Sequence, residues 1–88
     1  MVTSEQVREF IIPKIAEIFL KDADYISANP SLRLREDLHA RSMQYFPLIN
    51  MVEDEFDLSI DPPDFQNECS TIEGTIVYVL RLYQEQHP

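Results

Sequence analysis

One glycine, Gly74, stands in 88 residues, and this scarcity narrows the available folds more than any other feature. Tight β-hairpins draw on glycine for backbone with positive φ. A chain with one glycine is therefore poorly suited to a hairpin-rich β fold, and it has no glycine-rich phosphate loop of the P-loop or dinucleotide type. Helices remain, and the apolar residues recur at helical spacing. Val7, Ile11, Ile15, Ile18 and Phe19 mark a first amphipathic helix over about residues 4–21, with Glu5, Arg8, Glu9, Lys14 and Glu17 between them. Thr3 or Ser4 is its N-cap, and Thr3 with Gln6 fits a capping box. Pro13 lies inside it and predicts a kink near residues 9–13.

Residues 21–36 read as connection. Ser27-Ala28-Asn29-Pro30-Ser31 is turn chemistry, and Leu32, Leu34 and Leu38 are expected to pin this long loop to the core. A second helix starts near Arg41 or Ser42 and ends near Phe56, with Phe46, Ile49, Val52 and Phe56 as its buried stripe. Pro47 sits inside that pattern. It either kinks the helix or occupies the first regular position; the pattern favours a helix from about residue 42, loosened in its first turn. Residues 57–63 form a turn and an extended piece, and residues 64–69 hold one short helical turn. Ser70 with Glu73 reads as a capping box for a last helix over about 71–85, whose buried positions are Ile72, Ile76, Val79, Leu80 and Tyr83. Gly74 there costs roughly 1 kcal/mol relative to alanine.

The expected architecture is all-α: three main helices, a short fourth and a long loop between the first two, in a single domain over residues 1–88. The expected core is Val7, Ile11, Ile15, Ile18, Leu38, Phe46, Ile49, Val52, Phe56, Ile60, Ile72, Ile76, Val79 and Leu80. Apolar residues make up 44% of the chain, enough for one core but not also for a deep catalytic cleft.

Sixteen acids against seven bases give a formal net charge of -9. That balance disfavours nucleic acid, since phosphate contacts need Lys and Arg, and favours basic protein partners. A lone cysteine, Cys69, forms no internal disulfide and no metal cluster, which fits a reducing compartment. The first residues lack the basic start and apolar run of a signal peptide, and no apolar stretch is long enough to span a bilayer. The expectation is a cytoplasmic protein without membrane insertion, and a monomer. Asp57, Asp61 and Asp64 lack the spacing of an EF-hand. No metal site is expected.

Ser42 is the residue on which function turns. From spacing alone it reads as a helix N-cap. The run Glu36-Asp37-Leu38-His39-Ala40-Arg41-Ser42-Met43, continuing without a gap into Val52-Glu53-Asp54-Glu55-Phe56-Asp57-Leu58-Ser59-Ile60, resembles the acyl carrier protein family. Ser70-Thr71-Ile72 and Val77-Tyr78-Val79 resemble that family's final helix, so the likeness covers about residues 36–83. It implies an acyl-carrier-like four-helix bundle that is not itself an enzyme. Ser42 would bear a covalent 4′-phosphopantetheine arm, transferred from coenzyme A by a holo-acyl-carrier-protein synthase. The arm's thiol would carry an acyl group as a thioester to the enzymes of fatty-acid, lipid or polyketide-type synthesis. Acyl-transferring and acyl-processing enzymes with basic docking patches are the implied partners, and Arg41, Met43, Glu53, Asp54, Glu55 and Asp57 are the implied docking residues.

The chain departs from the family pattern in places. Arg41 replaces the usual Asp before the serine, Met43 the usual Leu, and Gln44 and Pro47 stand where acids are common. These departures point to a specialised carrier with its own enzymes and a surface retuned by Arg41 and His39. They also motivate the alternative of an unmodified carrier-fold protein serving as an interaction module. A hydrolase built on His39 and Ser42 is disfavoured, because there is no Gly-x-Ser-x-Gly elbow and no evident oxyanion loop. Cys69 reads as a small buried core residue.

Overall fold

The computed structural model describes residues 2–88 and is all-helical. Five helices follow in order: α1 (Ser4–Phe19), α2 (Ala23–Ala28), α3 (Ser42–Phe56), α4 (Pro62–Glu68) and α5 (Ile72–Gln86). The first packs against α2, α3 and α5, while α4 lies against α3 and α5. The radius of gyration is 11.9 Å, which matches the roughly 12 Å of a packed chain of this length.

Local chemistry accounts for the helix ends. Thr3 caps α1 through its hydroxyl, which accepts from the Gln6 N–H at 3.2 Å, and the Gln6 side chain accepts from the Thr3 N–H at 2.9 Å. The expected capping box is therefore present. The helix then passes through Pro13 and ends at Leu20, whose φ of 56° is left-handed.

At α5 the cap is Thr71, one residue later than expected, and its hydroxyl accepts from the Gly74 N–H at 2.9 Å. The reason is tertiary. Ser70 gives its carbonyl to the Leu34 N–H at 2.9 Å, and Arg33 pairs with Thr71 in an isolated antiparallel bridge. The next two amides of α5 are also taken by the loop: Ile72 N–H donates to the Leu32 carbonyl at 3.0 Å, and Glu73 N–H to the Pro30 carbonyl at 2.9 Å. Gly74 has a use at this point, since a Cβ in its place would lie 3.0 Å from the Thr71 capping oxygen.

The long loop is more structured than its sequence predicts. Residues 23–28 form α2, capped by Asp22, whose carboxylate accepts from the Asp24 N–H at 3.1 Å. It carries one buried residue, Ile26, too few to show as a period. Leu34 and Leu38 are buried and Leu32 partly so, as expected of the pinning residues.

The core holds most of the expected set, but Phe46 is displaced from it and Ile18 and Leu80 lie at its edge. Phe46 is 50% exposed and Tyr45 only 1%. The buried stripe of α3 is Tyr45, Leu48, Ile49, Val52 and Phe56, and Phe46 lies about 100° around the helix from Tyr45. Tyr45 meets Phe65 of α4 edge-to-face at 6.1 Å between ring centroids, and Phe65 meets Tyr78 of α5 at 5.7 Å. Phe10 and Phe56 join α1 to α3 in the same manner at 5.5 Å. Pairs of this geometry contribute about 0.5–1.5 kcal/mol beyond area burial. Ile18, Leu80 and Tyr83 are only partly buried, whereas Ile12, Phe19 and Leu48 are fully within the core.

This register predicts unequal costs for two phenylalanines. Phe65→Ala is expected to destabilise by about 3–5 kcal/mol. Phe46→Ala should lose about 1 kcal/mol or less. Urea unfolding followed by circular dichroism measures both, and comparable losses would contradict this register.

Candidate functional site

Three successive interactions fix the start of α3. The Arg33 backbone N–H and guanidinium bond the Asp37 carboxylate at 2.8 and 3.4 Å, and Glu36 also reaches the guanidinium at 3.4 Å. The backbone bond is the larger cause of the Asp37 carboxyl being held below the usual carboxylate range. Ala40 N–H then donates to the carbonyl of buried Leu34 at 2.9 Å. Finally Arg41 N–H donates to the Gln44 side-chain oxygen at 2.8 Å, while Gln44 N–H returns to the Arg41 carbonyl at 2.9 Å. This i→i+3 closure tightens the first turn. His39, between these points, has a left-handed φ of 58°.

Arg41 is thus the N-cap and Ser42 the first helical residue, which corrects the reading of Ser42 as a cap. Ser42 is exposed, and its hydroxyl has no hydrogen-bond partner among the described residues. Arg41 offers no capping side chain to the first amides of α3. The hydroxyls of Thr3 and Thr71 do so for the other two long helices. Amides at such a terminus point outward and favour an anion.

The sequence-predicted residues divide into two groups. Ser42, Arg41 and Met43 lie together at the start of α3, with Met43 80% exposed. Asp54, Glu55 and Asp57 are exposed at its far end. Glu53 belongs to neither. It is half-buried, and its carboxylate accepts from the Ile60 N–H at 2.8 Å, holding the turn after α3. Asp57 closes the helix with a left-handed φ of 53°, and its carbonyl accepts from His87 Nε2 at 2.8 Å. Gln86 clasps Ser59 through two hydrogen bonds in the same region.

One residue at this face differs from what the sequence pattern predicts, and Arg35 flanks α3 on the α4 side. The pattern assigns Phe46 to the core, yet its spacing of four from Ser42 puts it on the exposed row Ser42, Phe46, Asn50, Asp54. That i, i+4 spacing is the signal that locates it. Arg35 carries no sequence signal of a role. Its guanidinium bonds Gln66 at 3.1 Å and lies 5.9 Å from the Tyr45 ring centroid, one turn into α3.

No group of three His, Cys, Asp or Glu side chains among the described residues is arranged to hold a metal. No helix among them is long and apolar enough to cross a membrane. A shallow cleft of about 300 Å³ lies between α1 and α2, lined by Arg8, Glu9, Ile12, Pro13, Ala23, Asp24 and Ser27, and none of the residues of the Ser42 face line it. No protein-family model matches the chain.

Cys69 is fully buried, and burial pushes its thiol up to about 12 from an ordinary value of 9.0. Below pH 9 the thiol is protonated in both the folded and the unfolded chain. Above it the unfolded chain ionises first, so this group's contribution to stability falls as pH rises from about 9 towards 12. Two outcomes are expected: a disulfide-exchange reagent reacts with Cys69 only after denaturation, and Cys69→Ala flattens the alkaline fall in the thermal midpoint. Rapid labelling of the folded protein would show the thiol to be accessible.

Proposed function

We propose that this chain is an acyl carrier protein, with an acyl-carrier-like arrangement of α1, α3, α4 and α5, and that Ser42 bears a 4′-phosphopantetheine arm. The observation that carries the reading is the position of Ser42: an exposed, unpartnered hydroxyl at the first residue of a long helix whose terminal amides have no side-chain cap. The gapless likeness of residues 36–60 to the carrier family supports it.

The residues fit the group. A phosphodiester on Ser42 would lie beside the Ser42 and Met43 amides, where the helix dipole favours negative charge, one residue after the cationic Arg41. When attached, the arm supplies a thiol that holds an acyl group as a thioester. The chain's own part is to keep the hydroxyl exposed, to hold it at a fixed point on the bundle through Leu34, Ala40 and Gln44, and to offer the α3 face to partners. Catalysis belongs to those partners. No buried acid–base pair adjoins Ser42, and exposed His39 makes no hydrogen bond to it among the described residues.

Intact-mass analysis after incubation with coenzyme A and a broad-specificity holo-synthase tests the reading. The wild-type chain is expected to gain one phosphopantetheine, and Ser42→Ala none. A chain that gains nothing from several synthases, yet holds a basic protein partner equally well as Ser42→Ala, would instead be an unmodified interaction module.

A further inference from the structure

The outer side of α3 carries features that do not serve the fold. Met43 is 80% and Phe46 50% exposed, and both lie within the first turn and a half of the helix. Their side chains do not belong to the core cluster or to the residues packed against it. The charge along the helix is also divided. Arg8, Arg33 and Arg81 are ion-paired, but Arg41, at the Ser42 end, has no acidic partner among the described residues. At the other end Asp54, Glu55 and Asp57 are exposed without a basic partner among the described residues. The rise of 1.5 Å per residue puts Asp54 about 18 Å from Ser42 on the same row.

From this division we infer that the enzyme acting at Ser42 docks through a surface of reversed polarity. An acidic side chain faces Arg41, an apolar patch covers Met43 and Phe46, and a basic group about 18 Å further along faces Asp54. The inference rests on the carrier reading and names the partner chemistry that the reading leaves open. A uniformly basic partner would meet Asp54 well and Arg41 badly, and like charges brought together at an interface are costly. An antiparallel second copy would also match the charges. It would cover Ser42, however, and bring together two chains of net charge -9 each, so a different protein is the better occupant.

The test measures the rate of Ser42 loading by intact mass, using a broad-specificity holo-synthase with a basic docking surface as the probe. Arg41→Asp is expected to load about five- to tenfold faster than wild type at low salt, with the gain shrinking near ~0.5 M salt. Asp54→Lys is expected to load more slowly by a similar factor. Changing the synthase's basic residue nearest the helix start to Glu should reverse the order of wild type and Arg41→Asp. Circular dichroism confirms that each variant is folded. Equal rates for wild type and Arg41→Asp with both synthases would overturn the inference and leave the carrier reading standing. No loading of any folded form would overturn both. A concentration-dependent dimer that Arg41→Asp abolishes would assign the face to a second copy and overturn the docking inference alone.

Discussion

The docking of residues 30–34 onto the start of α5 is the constraint on which the rest of the molecule depends. Its three backbone bonds satisfy the Ile72 and Glu73 amides of α5 and the Leu34 amide of the loop. Buried amides left unpaired would each cost about 1–3 kcal/mol, so the loop and the helix stabilise one another. Leu34 links this junction to the start of α3. Its side chain is fully buried, its amide bonds Ser70, and its carbonyl receives Ala40, two residues before Ser42. The Arg8–Glu73 ion pair at 2.9 Å extends the same junction to α1, though a partly exposed pair of this kind contributes little alone.

The aromatic chain Tyr45–Phe65–Tyr78 holds the other side of α3. It brings the short helix α4 into the bundle, which seven residues could not achieve by helix propensity. Asp61 gives α4 no side-chain cap, and prolines occupy its first positions, where a missing N–H costs nothing. Stability on this side comes from packing, and on the loop side from backbone hydrogen bonds. Ser42 lies where the two meet, on a helix secured from both flanks and open on its outer side.

The long helices are legible in the sequence because their buried residues repeat with the helical period, and the Thr3–Gln6 box because both of its partners are local. The misreadings each involve information the period does not carry. Tyr45 and Phe46 are adjacent and both apolar; the more polar of them is buried because Phe65 supplies an edge-to-face partner from α4. Thr71 displaces Ser70 as cap because Ser70 is committed to Leu34. Glu53 looks like one more acid in a charged run, but the left-handed turn at Asp57 brings the Ile60 amide back to it. In the candidate site, the position of Ser42 is readable and the division of the α3 face is not, since it depends on which cations find partners across the fold.

That division bears on what the face can tolerate. Arg41 and Met43 contribute no side-chain contact that holds the bundle together, so their identity is free to answer to a partner. Gln44 is not free, because its amide oxygen receives the Arg41 N–H. Pro47 is the costly member. It removes the amide that would bond the Met43 carbonyl, and a proline inside a helix is unfavourable by about 3 kcal/mol. The helix nevertheless runs unbroken from Ser42 to Phe56, which requires the buried stripe of Tyr45, Leu48, Ile49, Val52 and Phe56 to offset that cost. The ring of Pro47 stands exposed one turn beyond Met43, where it adds apolar surface and leaves the Met43 carbonyl without its helical partner. The outer face of α3 therefore exposes Met43, Phe46 and Pro47 near Ser42 at some expense to the helix, and the packed inner face makes that expense tolerable.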